Sequence, residues 1–473
     1  MSPRDPRYPI NHPAFRTTAS RRQLIAGVGA TAGLAALGVN RLPSAFAQDK
    51  VNLQFWTPGG STTFCDGFTE IGAAYEAVVG NVHIESVTCG VGDQNFDEMF
   101  LASIASGTPP DATIVWSSPI AYAVRGALEP LDEWMTGSRY SQVENWPASI
   151  LASCQFGGKT YGLPVAAGTY AMVYNQELFD EVGLSSARDD FPKTWDELRA
   201  ASVKITQWDG DNLVRMGMMP PRQPVEFPIW VATNGGKIFD PETMKYTLDS
   251  PEAVETLTWM VDWLDTEYKG DMVQVDLANN WTENVVEGRP PAFQAGLLGM
   301  QGNGFWITGE FYNQVAPDDP KVTRWDVASY PVGPSGTTTA SSSWPNWAVV
   351  PSGSKHAEDA FGYIDYVGGP EGMEIWFSKI PDLPTNAKVP DMLPPTLEAK
   401  RGKEEATSIV QFFKNQLKVA IPQWTSPVEN FANDTLQRTI DQAYAHAGSP
   451  ADLLADAQKA CQAELDKVLA SQS

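Results

Sequence analysis

The sequence predicts an α/β protein of two lobes, each built on a central, mostly parallel sheet, joined by a hinge and completed by a helical C-terminal part. Three observations carry this. Apolar segments of strand and helix period alternate from Val51 to Ser117, which is the signature of a parallel sheet with right-handed crossovers. A second alternation follows between Trp195 and Thr233. About 426 residues remain after the first 47, too many for one small core.

The elements follow in order. "VNLQFW" (Val51–Trp56) reads as a buried strand and "TPGGST" as a loop. Phe64, Phe68, Ile71, Tyr75 and Val78 recur at helical spacing, so a helix is expected over Phe64–Val79. Asn81–Cys89 alternates as a second strand, Phe96–Ile104 is helical, and Asp111–Ser117 is a third strand after the turn "GTPPD". In such sheets ligands sit outside the carboxyl ends of the strands, here Trp56–Ser61, Cys89–Asn95 and Trp116–Ser118. "GKTYGLPVAAGTYAMVYN" (Gly158–Asn175) reads as two β-like pieces around a small flexible centre. A helix at Trp195–Thr206, a strand at Leu213–Met218 and a helix at Phe227–Thr233 form the second alternation. Ser250 as cap with Pro251 in the first turn starts another helix. "GLLGMQG" is a buried strand ending in "NGFW", with a helix expected over Trp306–Val315. A Pro/Gly/Ser/Thr-rich connection spans Pro331–Pro345 and "WAVVPSG" is a strand. From Glu358 the tail is helical, interrupted at Ile380–Asn386. The expected division is a leader (1–47), a first lobe from 48–165 and 344–384, and a second lobe from 166–343 and 385–473.

The leader has arginines at 16, 21 and 22, a weakly apolar Gly/Ala-rich stretch to Val39, and Ala45-x-Ala47 suited to cleavage before Gln48. That order is an export signal, and Arg21-Arg22 resembles a twin-arginine signal; a buried Gly/Ala helix is the alternative. "GVGATAG" has the wrong spacing for a phosphate loop and follows no strand. The expected mature chain is periplasmic, with no cysteine near the cleavage point for a lipid anchor. Its net charge falls from −24 to −29, which disfavours nucleic acid and anionic lipid as partners and leaves neutral or cationic small molecules. The four cysteines match no zinc spacing and the histidines show no metal-ligand spacing, so no metal and no cofactor is expected. In a β-α-β unit the start of the helix and the end of the second strand share a sheet edge. Cys65 and Cys89 occupy those places and are candidates for a bridge, two free thiols being the alternative.

No catalytic signature appears: there is no G-x-S-x-G, H-E-x-x-H, C-x-x-C or P-loop. Acids are plentiful, so a glycosidase carboxylate pair is the competing class, a secreted carbohydrate-active hydrolase. The aromatic content stands out instead. Of 16 tryptophans, Trp56, Trp116, Trp306 and Trp347 stand at or near the ends of predicted strands. Most tryptophans are core, but a ring at a strand end beside Gly, Ser or Asn fits a cleft with apolar walls and a few placed polar groups.

"SGTPPDATIVWSSPIAYAVRGALEPLDEWM", "GKTYGLPVAAGTYAMVYNQELFDEVGL", "PKTWDELRAASVKIT" and "GSKHAEDAFGYIDYV" resemble, in order, the family 1 extracellular solute-binding proteins. These are maltose-binding-like sugar-binding components of ABC importers. The resemblance implies a type II periplasmic-binding-protein fold closing on its ligand by a hinge, no catalysis, and delivery to a membrane permease by a monomer. It implies roles residue by residue. "GNGFW" resembles the family's G-x-W turn, making Trp306 the stacking ring, with Asn303 beside it. Trp116 matches the first-lobe aromatic, with Ser117 as a hydroxyl partner. "TPGGST" matches the first ligand loop (Gly60, Ser61). "QPVEFPIWVATNGG" matches a second-lobe segment; Gln223 stands where some maltodextrin binders have a carboxylate, and Glu226 is the substitute, which puts maltose itself in doubt. The two hinge crossings contribute Tyr170, Asn346 and Trp347, and Trp424 is a further second-lobe candidate. The same fold binding a polyol, a glycerol phosphate ester or a peptide is the alternative; many aromatics and no basic cluster favour neutral sugar.

Overall fold

In a computed structural model, residues 50–58, 62–89, 96–279, 291–313, 322, 324–380, 382–421 and 423–471 are described. The leader, the loop residues Gly60 and Ser61, and the sheet edge after Cys89 lie outside these residues. The first alternation forms as read: β1 (Val51–Trp56), α1 (Thr62–Val79), β2 (Val82–Thr88), α2 (Phe96–Ala105) and β3 (Ala112–Val115). β1 pairs in parallel with β2 and with β3. Cys65 in the first turn of α1 is bridged to Cys89 just past β2, their Cα atoms 5.6 Å apart, whereas Cys154 and Cys461 are free and buried.

The segment expected as two pieces around a flexible centre is one strand, β4 (Leu163–Asn175), buried along its whole length. Its small residues mark close packing, not looseness. The chain continues through α3 (Trp195–Ile205), β5 (Gln207–Asp209), β6 (Asn212–Met218), α4 (Phe227–Thr233), α5 (Pro251–Glu267), β7 (Leu298–Gly304) and α6 (Ile307–Asn313). α3 begins in a capping box, Thr194 with Glu197, and α5 begins at Pro251 with the Ser250 hydroxyl accepting from the Ala253 N–H at 3.3 Å; such caps are worth about 1 kcal/mol each. Then come β8 (Trp325–Ala328), β9 (Ser343–Val349), α7 (Ala357–Val367), α8 (Pro370–Lys379), β10 (Leu383–Pro384), α9 (Lys403–Gln416), α10 (Glu429–Tyr444) and α11 (Pro450–Ala470).

The main sheet runs β2-β1-β3-β9-β4-β7-β6-β5, with β8 and β10 also on β4. Pairing is parallel for β1–β2, β1–β3 and β6–β7. Every antiparallel pair in this sheet involves β4, β9 or the hairpin β5–β6. β4 changes partners midway. Leu163–Thr169 pairs with β9 and β10, and from Tyr170 onward it pairs with β7 and β8. One strand thus runs through both lobes. The N-lobe core is aromatic, with Phe55, Phe68 and Trp376 rings about 5 Å apart; the C-lobe core stacks Trp195 on Trp259 at 4.1 Å. Among the described residues, Trp146, Trp195, Trp230, Trp263, Trp325, Trp347 and Trp376 are buried in the core, in line with their large apolar area.

Candidate ligand cleft

β7 ends in Gly302-Asn303-Gly304, and Gly304 pairs with Tyr170 where β4 changes lobes. Trp306 sits in the turn before α6, not at the start of the helix itself. A Cβ placed on Gly168 or on Gly304 would fall 2.3 or 2.2 Å from its six-membered ring. The indole therefore lies against two bare backbones, one on each crossing element, and only glycine leaves room for it. Tyr170, itself buried, meets the ring edge-on at 5.4 Å and 88°. Trp306 stays partly exposed. Asn303 is also partly exposed, its side-chain oxygen taken by the Gly304 N–H at 2.8 Å.

The N-lobe wall comes from the ends of β3 and β9. The Trp116 indole N–H donates to Asn346 Oδ1 at 2.9 Å, and the Trp116 carbonyl accepts from the Trp344 indole at 3.1 Å. Asn346 in turn donates to Asp382. Trp344 packs on Trp424 with ring centres 4.9 Å apart, and the Trp424 N–H returns to the Ser343 carbonyl. Trp116, Trp344 and Trp424 are thus linked in series, the first two by a hydrogen bond to the Trp116 backbone and the last two by ring contact. Trp424 is 3% exposed and held at φ 64, a conformation that favours glycine. Trp347 is placed differently from expectation. It follows a register shift after Asn346, is fully buried, and spends its N–H on Ser153 at 2.8 Å. It is a core residue of the N-lobe, not a lining one. Trp344, three residues earlier in "SSWPNWA", is the partly exposed ring of the two, a difference that sequence reasoning missed.

Two polar groupings flank these rings. Asp97, in the first turn of α2, accepts from Ser117 Oγ and from the Tyr122 hydroxyl, both at 2.5 Å. Asn430 on α10 reaches across from the C-lobe, its amide 3.0 Å from both Asp97 Oδ2 and Ser117 Oγ. On the C-lobe side, a Cβ at Gly302 would meet the Tyr330 hydroxyl at 2.3 Å and Glu226 Oε2 at 2.8 Å. Glu226 is 8% exposed, and burial pushes its carboxyl up to about 8. The Trp230 N–H, which finds no partner of hydrogen-bond geometry, opposes only part of that shift. The Tyr330 hydroxyl is buried and unpartnered, pushed well above the usual phenol range by burial and then by the Glu226 charge. Gln223 lies partly exposed at a cavity of about 30 Å³ shared with Glu226, Gln301 and Gly302. Tyr330, Asp97 and Asn430 carried no motif by which the sequence could single them out. No group of three or more His, Cys, Asp or Glu with metal-site geometry occurs among the described residues.

Ring faces beside hydroxyls, amides and carboxyls suit capture of a small polar molecule. The model of the bacterial extracellular solute-binding proteins matches residues 66–374. This chain belongs to that family. A Brucella abortus protein named only as a binding protein is 27% identical over 268 residues, 56% of this chain and 59% of the relative. The chain therefore matches little more than half the length of that relative. The maltotriose-binding protein of Pyrococcus abyssi is 30% identical over 155 residues, 32% of this chain and 31% of that one. Among solved structures, CpMnBP1 with mannotriose bound superposes with a TM-score of 0.70 at 20% identity, covering 87% of this chain and all of the other. A maltose-bound protein of T. maritima gives 0.69 at 20% identity, covering 87% of this chain and 99% of the other. These likenesses establish the type II periplasmic-binding-protein fold.

Proposed function

We propose that this protein captures a neutral carbohydrate between its lobes and hands it to the permease of an ABC importer. The observation that carries this reading is Trp306, laid over Gly168 and Gly304 where β4 passes between lobes, and still partly exposed. A sugar ring offers an apolar face to such an indole and hydroxyls to its flanks. Trp116 and Trp344 extend the aromatic surface, with the buried Trp424 packed on Trp344, and Asp97, Ser117, Asn346, Gln223 and Glu226 supply polar partners. Relatives and structural neighbours named for maltotriose, mannotriose and maltose support the class of ligand.

The protein acts as a monomeric carrier without turning over its ligand. It works in the periplasm, delivered by the twin-arginine leader and cleaved before Gln48. No helix among the described residues is long and apolar enough to cross a membrane. Thermal shift against a panel of mono-, di- and oligosaccharides tests the reading, because bound ligand raises the melting temperature in proportion to ln(1 + [L]/Kd). At least one neutral sugar is expected to shift it at micromolar to millimolar concentration. A panel without any shift, or hydrolysis of glycosides by the purified protein, contradicts the proposal. Retention of leader-bearing protein in the cytoplasm after Arg21→Lys and Arg22→Lys tests the export route.

A further inference from the structure

A cavity of about 330 Å³ opens within the C-lobe, between α4, the hairpin Phe239–Asp240/Lys245–Tyr246 and the segment leading into α10. All of its lining belongs to the C-lobe, and Trp306 is not part of it. Pro228, Ile238, Phe239, Ile421 and Trp424 make apolar walls. Into this space faces Glu429, the first residue of α10, 5% exposed. At the rim, Lys237 is spent on Asp240 at 2.7 Å, and Glu242 adds an exposed acid. Lys237 is the one cation among the described lining residues and is already paired, so these residues keep an excess of negative charge.

We propose that this cavity is a second binding site, taking a small organic cation: a primary ammonium carried on a ring of about monosaccharide size. A buried carboxylate is costly unless a countercharge meets it. Burial pushes Glu429 up to about 7, with only the Ser426 backbone N–H favouring its charged form. The groups facing it from neighbouring elements do not supply charge. Tyr246 on the hairpin and Cys461 on α11 are both raised by burial, and the Glu429 charge raises them further. An ammonium in the cavity would complete an ion pair with Glu429, while Trp424 and Phe239 offer ring faces that attract a cation. The volume admits one six-membered ring, and the negative lining rejects anions.

Cyclohexylammonium is the probe, since it lacks the hydroxyls that a sugar cleft reads and stays charged from pH 5.5 to 8. Calorimetric titration of the mature protein should show binding roughly thirtyfold tighter at pH 8 than at pH 5.5, because Glu429 passes from about 3% to about 90% ionised. Cyclohexanol should bind weakly and without pH dependence. Glu429→Gln should bring the ammonium down to the cyclohexanol level. Ala232→Phe, which fills the cavity from α4, should abolish binding of both. Trp306→Ala should leave it intact, so failure of the carbohydrate reading and failure of this one are told apart. Wild-type affinity in Glu429→Gln, equal binding of cyclohexanol, or a flat pH profile overturns the site. Should Glu429→Gln not fold, the wild-type pH profile and Ala232→Phe decide alone.

Discussion

Trp306 is held by packing on two glycines and an edge contact with Tyr170, yet it stays partly exposed. That combination predicts what truncation does. A fully buried indole would cost about 3–5 kcal/mol on removal. Trp306→Ala should instead keep the melting temperature of the empty protein within a few degrees. It should weaken sugar binding by about 1–3 kcal/mol, roughly ten- to a hundredfold, and Trp306→Phe should recover part of that. Unchanged affinity in a folded alanine variant, read by calorimetry, removes the stacking role. Glu226 makes a second prediction. Its carboxyl titrates near 8 in the fold and near the ordinary 4.5 in the unfolded chain. The folded state thus holds the proton more tightly, so stability is fullest below pH 4.5 and is lost as pH rises towards 8. Glu226→Gln should flatten that decline, leaving the variant more stable than wild type by up to a few kcal/mol at pH 8.5 and no more stable at pH 4.5. Parallel denaturant curves at both pH values check it; identical pH dependence refutes it. At this scale the sequence is an uneven guide. "GNGFW" exposes Trp306 because two glycines just ahead of an aromatic at a strand end are readable. Trp347 and Trp344 look alike in "SSWPNWA", and only the register shift of β9 decides which one is buried. Tyr330 comes to Glu226 from 104 positions away, through sheet pairing that no local pattern encodes.

Elements were more legible than residues, and the reason is periodicity. Val51–Trp56 and Phe227–Thr233 have the bounds that their apolar spacing predicts, and α2 and α3 differ by one residue at the C-terminus. β4 defeated the same reasoning. Pro, Ala, Gly and Thr at its centre read as flexible, but they are small because a strand paired on both sides and pressed against Trp306 has no room for larger residues. The α1–β2 unit was legible through its geometry, since helix start and strand end meet at one edge. The Cys65–Cys89 bridge closes a separation of 24 residues. On the loop-entropy estimate it contributes about 3 kcal/mol. Replacing both cysteines with serine should lower stability to chemical denaturant by about that amount and leave the far-ultraviolet spectrum intact. No loss beyond about 0.5 kcal/mol would mean that the bridge adds nothing to the folded state.

At the scale of the whole molecule, three strands at the crossing, β4, β9 and β10, are packed side by side, so relative motion of the lobes concentrates there. Domain closure is then expected, with sugar favouring the closed arrangement through contacts made on both walls. One contact bears on that equilibrium before any sugar arrives. Asn430 of the C-lobe donates to Asp97 and to Ser117 of the N-lobe, at an exposed position. Two hydrogen bonds, one to a carboxylate, are worth about 1–3 kcal/mol net. That is enough to change the ratio of closed to open molecules by about fivefold to a hundredfold or more. Asn430→Ala should therefore raise the radius of gyration of the empty protein in small-angle scattering. Under saturating sugar it should leave the radius as in wild type. Its apparent affinity should fall by roughly the same factor as the lost closed population, because a sugar that needs the closed form must now assemble it. Asn430→Asp should go further, placing a second carboxylate about 3 Å from the first. Superimposable curves for the empty wild type and both variants would show that the contact carries no weight in closure, and the hinge would then have to be argued from β4 alone.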